Sequence, residues 1–153
     1  MKLQRDLREF IELLNSHSCD YLVVGGHAVA YHGHPRFTGD IVFLLRPSAE
    51  NAGRVLSVLQ AFGFGDLPLR PDDLTIAGRV IQLGRPPNRI DLLTSISGVS
   101  FEDAWAGRAA GELDGLPVFF LGRHALLKNK RASGRPKDLA DIAKLTAVAA
   151  VRK

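Results

Sequence analysis

The chain has 153 residues, 46% of them hydrophobic and 24% charged, with a formal net charge of +4. That size and balance suit one globular domain, read as residues 1–153, and exclude a disordered or disulfide-stapled chain. No apolar run approaches the ~20 residues of a membrane-spanning helix, and the positive excess favours anionic partners such as nucleotides or RNA. The single cysteine, Cys19, cannot close an internal disulfide; it reads as a buried thiol, with a cytoplasmic location as the default expectation.

Leu3, Leu7, Phe10, Ile11 and Leu14 recur at helical spacing and predict an amphipathic first helix, a pattern unlike a secretory leader. Tyr21-Leu22-Val23-Val24 reads as a buried strand stopped by Gly25-Gly26. His27 to His32 reads as a short helix closed at Gly33, and Asp40 to Leu45 as a second strand. Ser48 is placed to cap a helix carrying Ala52, Val55, Leu56, Leu59 and Phe62 on one face. Gly63 to Asp73 reads as a loop. Leu74 to Leu83 and Arg89 to Ser95 read as two strands joined through Gly84-Arg85-Pro86-Pro87-Asn88. Ser100 would cap a helix from Phe101 to Arg108, Leu116 to Leu121 a last strand, and Arg123 to Lys130 a helix. Pro136 would open a closing helix that carries Leu139, Ile142 and Leu145. This order predicts an α/β (α+β) protein, a mixed β-sheet with helices packed on it.

Two glycines end the first strand, and a carboxylate opens the second. Gly25 and Gly26 would let backbone amides approach phosphate, with the following helix N-terminus favouring negative charge. A tight turn needs the same residues. Arg36 and Thr38 could contact phosphate or orient the loop, or Arg36 could pair with a surface acid. Asp91, in Arg89-Ile90-Asp91-Leu92-Leu93, alternates with apolar neighbours. Alone, Asp40 reads equally as a turn residue and Asp91 as a solvent-facing strand residue. Their joint placement with Gly25 and Gly26 points to a site. Further on, Lys128, Lys130, Arg131, Arg135 and Lys137 form a run without an acid, readable as a solvated basic face or an anion-binding one. Asp138 and Asp141 follow directly and can pair part of that charge.

Gly25-Gly26-His27-Ala28, Pro35-Arg36-Phe37-Thr38-Gly39-Asp40-Ile41-Val42-Phe43-Leu44-Leu45 and the closing stretch Leu126 to Asp141 together carry a resemblance. They resemble a bacterial nucleotidyltransferase family of the toxin–antitoxin and abortive-infection type, in the polymerase-beta-like superfamily. The resemblance spans most of the chain from Tyr21 to Leu145. It implies the nucleotidyltransferase fold and transfer of a nucleoside monophosphate from an NTP to a hydroxyl, with pyrophosphate released. It also implies that Asp40 and Asp91 are catalytic and hold Mg2+, or Mn2+ in its place. Gly25, Gly26, Arg36, Thr38, Lys128, Lys130, Arg135 and Lys137 would bind the nucleotide and its phosphates, with Asp138 and Asp141 orienting the cations. The implied acceptor is a hydroxyl of tRNA, another RNA or a protein, and the implied protein partner a cognate toxin or antitoxin.

One departure bears on all of this. The family's second strand carries Asp-x-Asp, whereas this chain reads Asp40-Ile41-Val42. Magnesium takes oxygen ligands, usually one or two carboxylates plus phosphates, and nucleotidyl transfer can use two ions. Strand residues two apart share a face, so position 42 should supply a second carboxylate beside Asp40. Val42 supplies an isopropyl group. Three readings stay open: a natural degenerate member that binds nucleotide without turnover, an engineered inactive form, or an enzyme in which Asp40 and Asp91 suffice for one ion and slow catalysis. From a different class come a catalytically inactive nucleotide- or partner-binding module and an RNA-binding protein using the basic run alone. The latter would show a steep salt dependence and ignore NTP.

Other constellations are weaker. His27, His32 and His34 lack the four-residue spacing of a helical zinc pair and read as helix-end and loop histidines near substrate. Ser95, Ser97 and Ser100 lack a nucleophile-elbow context. Phe101 with Trp105, and Phe119 with Phe120, read as core packing.

Overall fold

Helix α1 (Arg5–Ser16) lays Leu7, Phe10, Ile11 and Leu14 along one buried stripe, as their spacing predicts. The computed structural model, which describes residues 3–34, 39–85 and 88–152, sets this stripe against a six-stranded mixed sheet. The strands are β1 (Tyr21–Val24), β2 (Ile41–Leu45), β3 (Val80–Leu83), β4 (Ile90–Leu93), β5 (Ala109–Leu113) and β6 (Leu116–Phe120), in the order β3-β4-β2-β1-β6-β5. β2 and β4 are parallel, as are β1 and β6; the other neighbours are antiparallel. The α/β class and the mixed sheet are as expected.

Successive strand residues point to opposite faces, and here the two faces differ. On one, Phe43 meets Phe10 of α1 at 5.7 Å between ring centroids and Tyr21 edge-on at 5.4 Å. Phe62, which follows α3 (Ala49–Ala61), stands edge-on to Phe10 at 5.1 Å. This aromatic layer is the centre of the core. The other face carries Val24, Val42 and Leu93 toward α5 (Arg123–Ser133).

The caps follow the sequence. Ser48 Oγ accepts from the Asn51 amide at 3.2 Å to start α3, and Ser100 Oγ accepts from the Asp103 amide at 3.2 Å to start α4 (Phe101–Ala106). Pro136 opens α6 (Pro136–Arg152), where its missing N–H costs nothing.

Four expectations need correction. Helix α2 (Gly25–Tyr31) begins at Gly25, so both glycines lie in its first turn instead of ahead of it. Leu74 to Leu83 is not one strand: Pro71–Leu74 forms a 3₁₀ turn, and Gly78 at φ +83° interrupts the chain before β3. Strand β5 has no counterpart in the expected elements, because Ala-Ala-Gly-Glu-Leu lacks the β-branched residues that advertise a strand. It forms as the partner of β6 across Asp114-Gly115, both at positive φ (49° and 78°), the signature of a two-residue hairpin turn. Leu139, expected on the buried face of the closing helix, is 54% exposed, whereas Leu145 is fully buried. Among the described residues no helix is long and apolar enough to cross a membrane.

Candidate functional site

Register places the candidate acids. Val42 of β2 lies opposite Val24 of β1 and beside Asp91 of β4. Paired positions share a face, so Val42 and Asp91 belong to the face away from the aromatic core, with Asp40 immediately before β2. That face floors a cavity of about 790 Å³. Val24, Gly25, Val42 and Leu93 form its base; Leu126, Asn129 and Lys130 of α5 stand opposite with Arg135 and Asp138, and Ser95 and Ser97 reach its wall.

Gly25 closes the turn from β1 into α2 at φ +68°, a left-handed conformation that favours glycine. A Cβ there would sit 3.2 Å from Val42 Cγ2, so the turn packs directly on the altered position.

Of the other candidates, Lys130 and Arg135 line the cavity, while Lys128 and Lys137 are exposed and off its lining. Gly26 follows the lining residue Gly25 in the same turn. Arg36 and Thr38 lie outside the described residues. Ser95 and Ser97, unremarkable as nucleophiles, prove to be cavity residues. His27 is buried at 2% exposure. Burial holds its imidazole below the ordinary histidine range, with the Asp40 backbone partly offsetting this. His32 meets the Leu121 carbonyl through Nε2 at 2.8 Å.

Arg89 is the residue that sequence reasoning passed over. Its guanidinium grips Asp91 twice, Nε to Oδ1 at 2.8 Å and Nη2 to Oδ2 at 3.1 Å. Its backbone amide donates to Asp40 Oδ1 at 2.7 Å. One residue thus engages both acids. The signal was available, since Arg89 stands two positions before Asp91, at the start of the stretch read as a strand.

On the opposite side, Lys130 is buried between two acids, with Nζ 3.2 Å from Asp138 Oδ1 and 3.0 Å from Asp141 Oδ2. Arg135, largely exposed, meets Asp138 Oδ2 through Nε at 2.7 Å. The Arg135 hydrogen bond, aided by Lys130 against the cost of burial, pulls the Asp138 carboxyl from 3.8 down to about 2. A carboxyl whose folded pKa is depressed contributes stability in full above its unfolded value and loses it as pH falls through the folded one. Urea melts should therefore show a loss of stability between pH 3.8 and about 2 that Asp138→Asn removes.

Two carboxylates that both contact Arg89 are hard oxygen donors that would suit a single magnesium ion drawing its remaining ligands from phosphate and water. The isopropyl group of Val42 between them does not suit a second ion. Among the described residues, no three His, Cys, Asp or Glu side chains converge closely enough to hold a metal.

No family model matches the sequence, and no curated protein matches it. In three dimensions the chain is similar to the lincosamide antibiotic adenylyltransferase LnuA, solved with lincomycin bound. The TM-score is 0.55 at 13% identity, over 97% of this chain and 99% of that one. At this identity the likeness is one of fold, and the fold is that of a nucleotidyltransferase.

Proposed function

We propose that this chain is a single-domain nucleotidyltransferase whose cavity takes a nucleoside triphosphate as its magnesium complex, and whose turnover is slowed by Val42. The observation that carries this reading is the disposition of one wall against the other: Gly25 and Val42 on the sheet side, Lys130 and Arg135 on the helix side, with Asp91 off the lining but in register beside Val42. The amides of the Gly25-Gly26 turn would approach the phosphates closely because no Cβ intervenes. Arg135, with its side chain 71% exposed, would turn its free guanidinium edge to phosphate while Asp138 holds the other edge. Asp40 and Asp91 would hold the metal. Magnesium, when bound there, would offset triphosphate charge as the leaving pyrophosphate forms.

The reaction joins an acceptor hydroxyl oxygen to the α-phosphorus, breaks the bond from that phosphorus to the β-phosphate and releases pyrophosphate. Exposed Lys128, Arg131 and Lys137 on α5 and α6 favour an RNA hydroxyl, tRNA included, over an uncharged acceptor. LnuA, by its description, acts on a small antibiotic, so a small hydroxyl compound is the comparison arm. The test is pyrophosphate release with magnesium and each NTP, with total tRNA or a small alcohol as acceptor. Release that depends on tRNA supports the proposal; release only with the small acceptor overturns the RNA assignment.

A second reading is favoured by Val42 and by the grip of Arg89 on Asp91: a module that binds nucleotide without turnover, for instance as one component of a toxin–antitoxin pair. Saturable NTP binding without pyrophosphate release, under conditions where Val42→Asp does release it, supports that reading.

A further inference from the structure

We infer that Arg89 is a positioning residue that serves as the built-in counter-cation of the acid pair, keeping a divalent ion off Asp91 until nucleotide arrives. This rests on the reading of Asp40 and Asp91 as the metal-binding pair.

Asp91 is nearly buried, its side chain 12% exposed, and both of its oxygens are taken by the Arg89 fork at 2.8 and 3.1 Å. A planar guanidinium on a carboxylate is the strongest common form of this contact; it occupies one lone pair on each oxygen and sets a positive charge against the others. The Arg89 amide at 2.7 Å from Asp40 Oδ1 fixes the second acid through the same residue. Carboxylates gathered near one another repel unless a cation lies between or beside them. In the nucleotide-free protein the guanidinium meets that need.

A divalent ion approaching Asp91 must share its oxygens with a bidentate partner, or displace it, and tolerate a positive charge beside it. In an Asp-x-Asp chain the residue at position 42 could hold the ion without Asp91. Val42 removes that alternative, so here the competition falls on Asp91 alone. A triphosphate changes the balance by presenting planar-matched oxygens to the guanidinium and further ligands to the ion. Arg89 can then pass from carboxylate to phosphate, releasing Asp91.

The test is Mn2+ titration of the nucleotide-free protein, followed by the electron paramagnetic resonance signal of free Mn2+. Arg89→Met should bind Mn2+ about tenfold more tightly or better than the unmodified chain, as removal of an adjacent cation dictates. Arg89→Lys should fall between them, since a point-charge ammonium cannot cover both oxygens. Adding Asp91→Asn to Arg89→Met should abolish the gain. Equal Mn2+ affinity in the unmodified chain and Arg89→Met overturns the inference, as does a gain that survives Asp91→Asn. Should melting show Arg89→Met to be unfolded, the Arg89→Lys comparison decides alone. Absence of magnesium–NTP binding by the unmodified chain would count against the nucleotide site itself, a separate failure.

Discussion

Replacing Val42 by aspartate is expected to raise magnesium-dependent pyrophosphate release by roughly 10²-fold or more, the scale of restoring one electrostatic group aimed at developing charge. The same change should destabilise the metal-free protein. Val42 lies beside Asp91 in the parallel β2–β4 pair and packs on the Gly25 turn. A carboxylate there would add a third negative charge to a face where Arg89 already serves two. A partly buried, uncompensated charge of this kind costs about 1–3 kcal/mol. Thermal melts of both forms in EDTA and in magnesium would check this. The aspartate form should melt lower in EDTA and recover at least part of the loss in magnesium. A higher melting temperature for the aspartate form in EDTA would contradict the account of how these acids are balanced.

The second large effect concerns Lys130. Its ammonium is shared between Asp138 and Asp141, whose side chains are 1% and 3% exposed. Lys130→Met fills similar space but takes the ammonium from two buried carboxylates, Asp138 keeping Arg135. Breaking a buried pair from one side costs about 3–5 kcal/mol, because the partner's charge is left uncompensated. Urea denaturation should show a loss of that order. The triple variant Lys130→Met, Asp138→Asn, Asp141→Asn should recover a large part of it, since the two negative charges go with the ammonium. A single Lys130→Met variant as stable as the unmodified chain would mean that the cluster contributes nothing to the joining of α5 and α6.

Much of this arrangement was legible in the sequence. Tyr21–Val24 announces itself by four apolar residues ended by two glycines, and Asp40 and Asp91 by their place against apolar alternation. Register then puts Val42 and Asp91 side by side. What stayed hidden depends on partners far along the chain. Ala109–Leu113 has no strand signal of its own and is extended because β6 pairs with it, although Asp114-Gly115 marked the hairpin. Lys128 and Lys130 looked equivalent in the basic run, yet residues two apart on a helix point about 200° from each other, so one faces the cavity and the other solvent. Leu139 fits the apolar pattern of α6 but finds no element over it among the described residues. Arg89 could be read as a strand residue but not as the partner of both acids, because its contact with Asp40 depends on how β4 lies against β2.

The cavity between Val42 and Lys130 is proposed as a nucleotide site. It is tested most directly by calorimetric titration of the unmodified chain with each NTP in excess magnesium, with Arg135→Ala alongside. Saturable binding of at least one NTP at a single site, weakened by Arg135→Ala, is the expected result. No binding of any NTP, by the unmodified chain or by Val42→Asp, would contradict it.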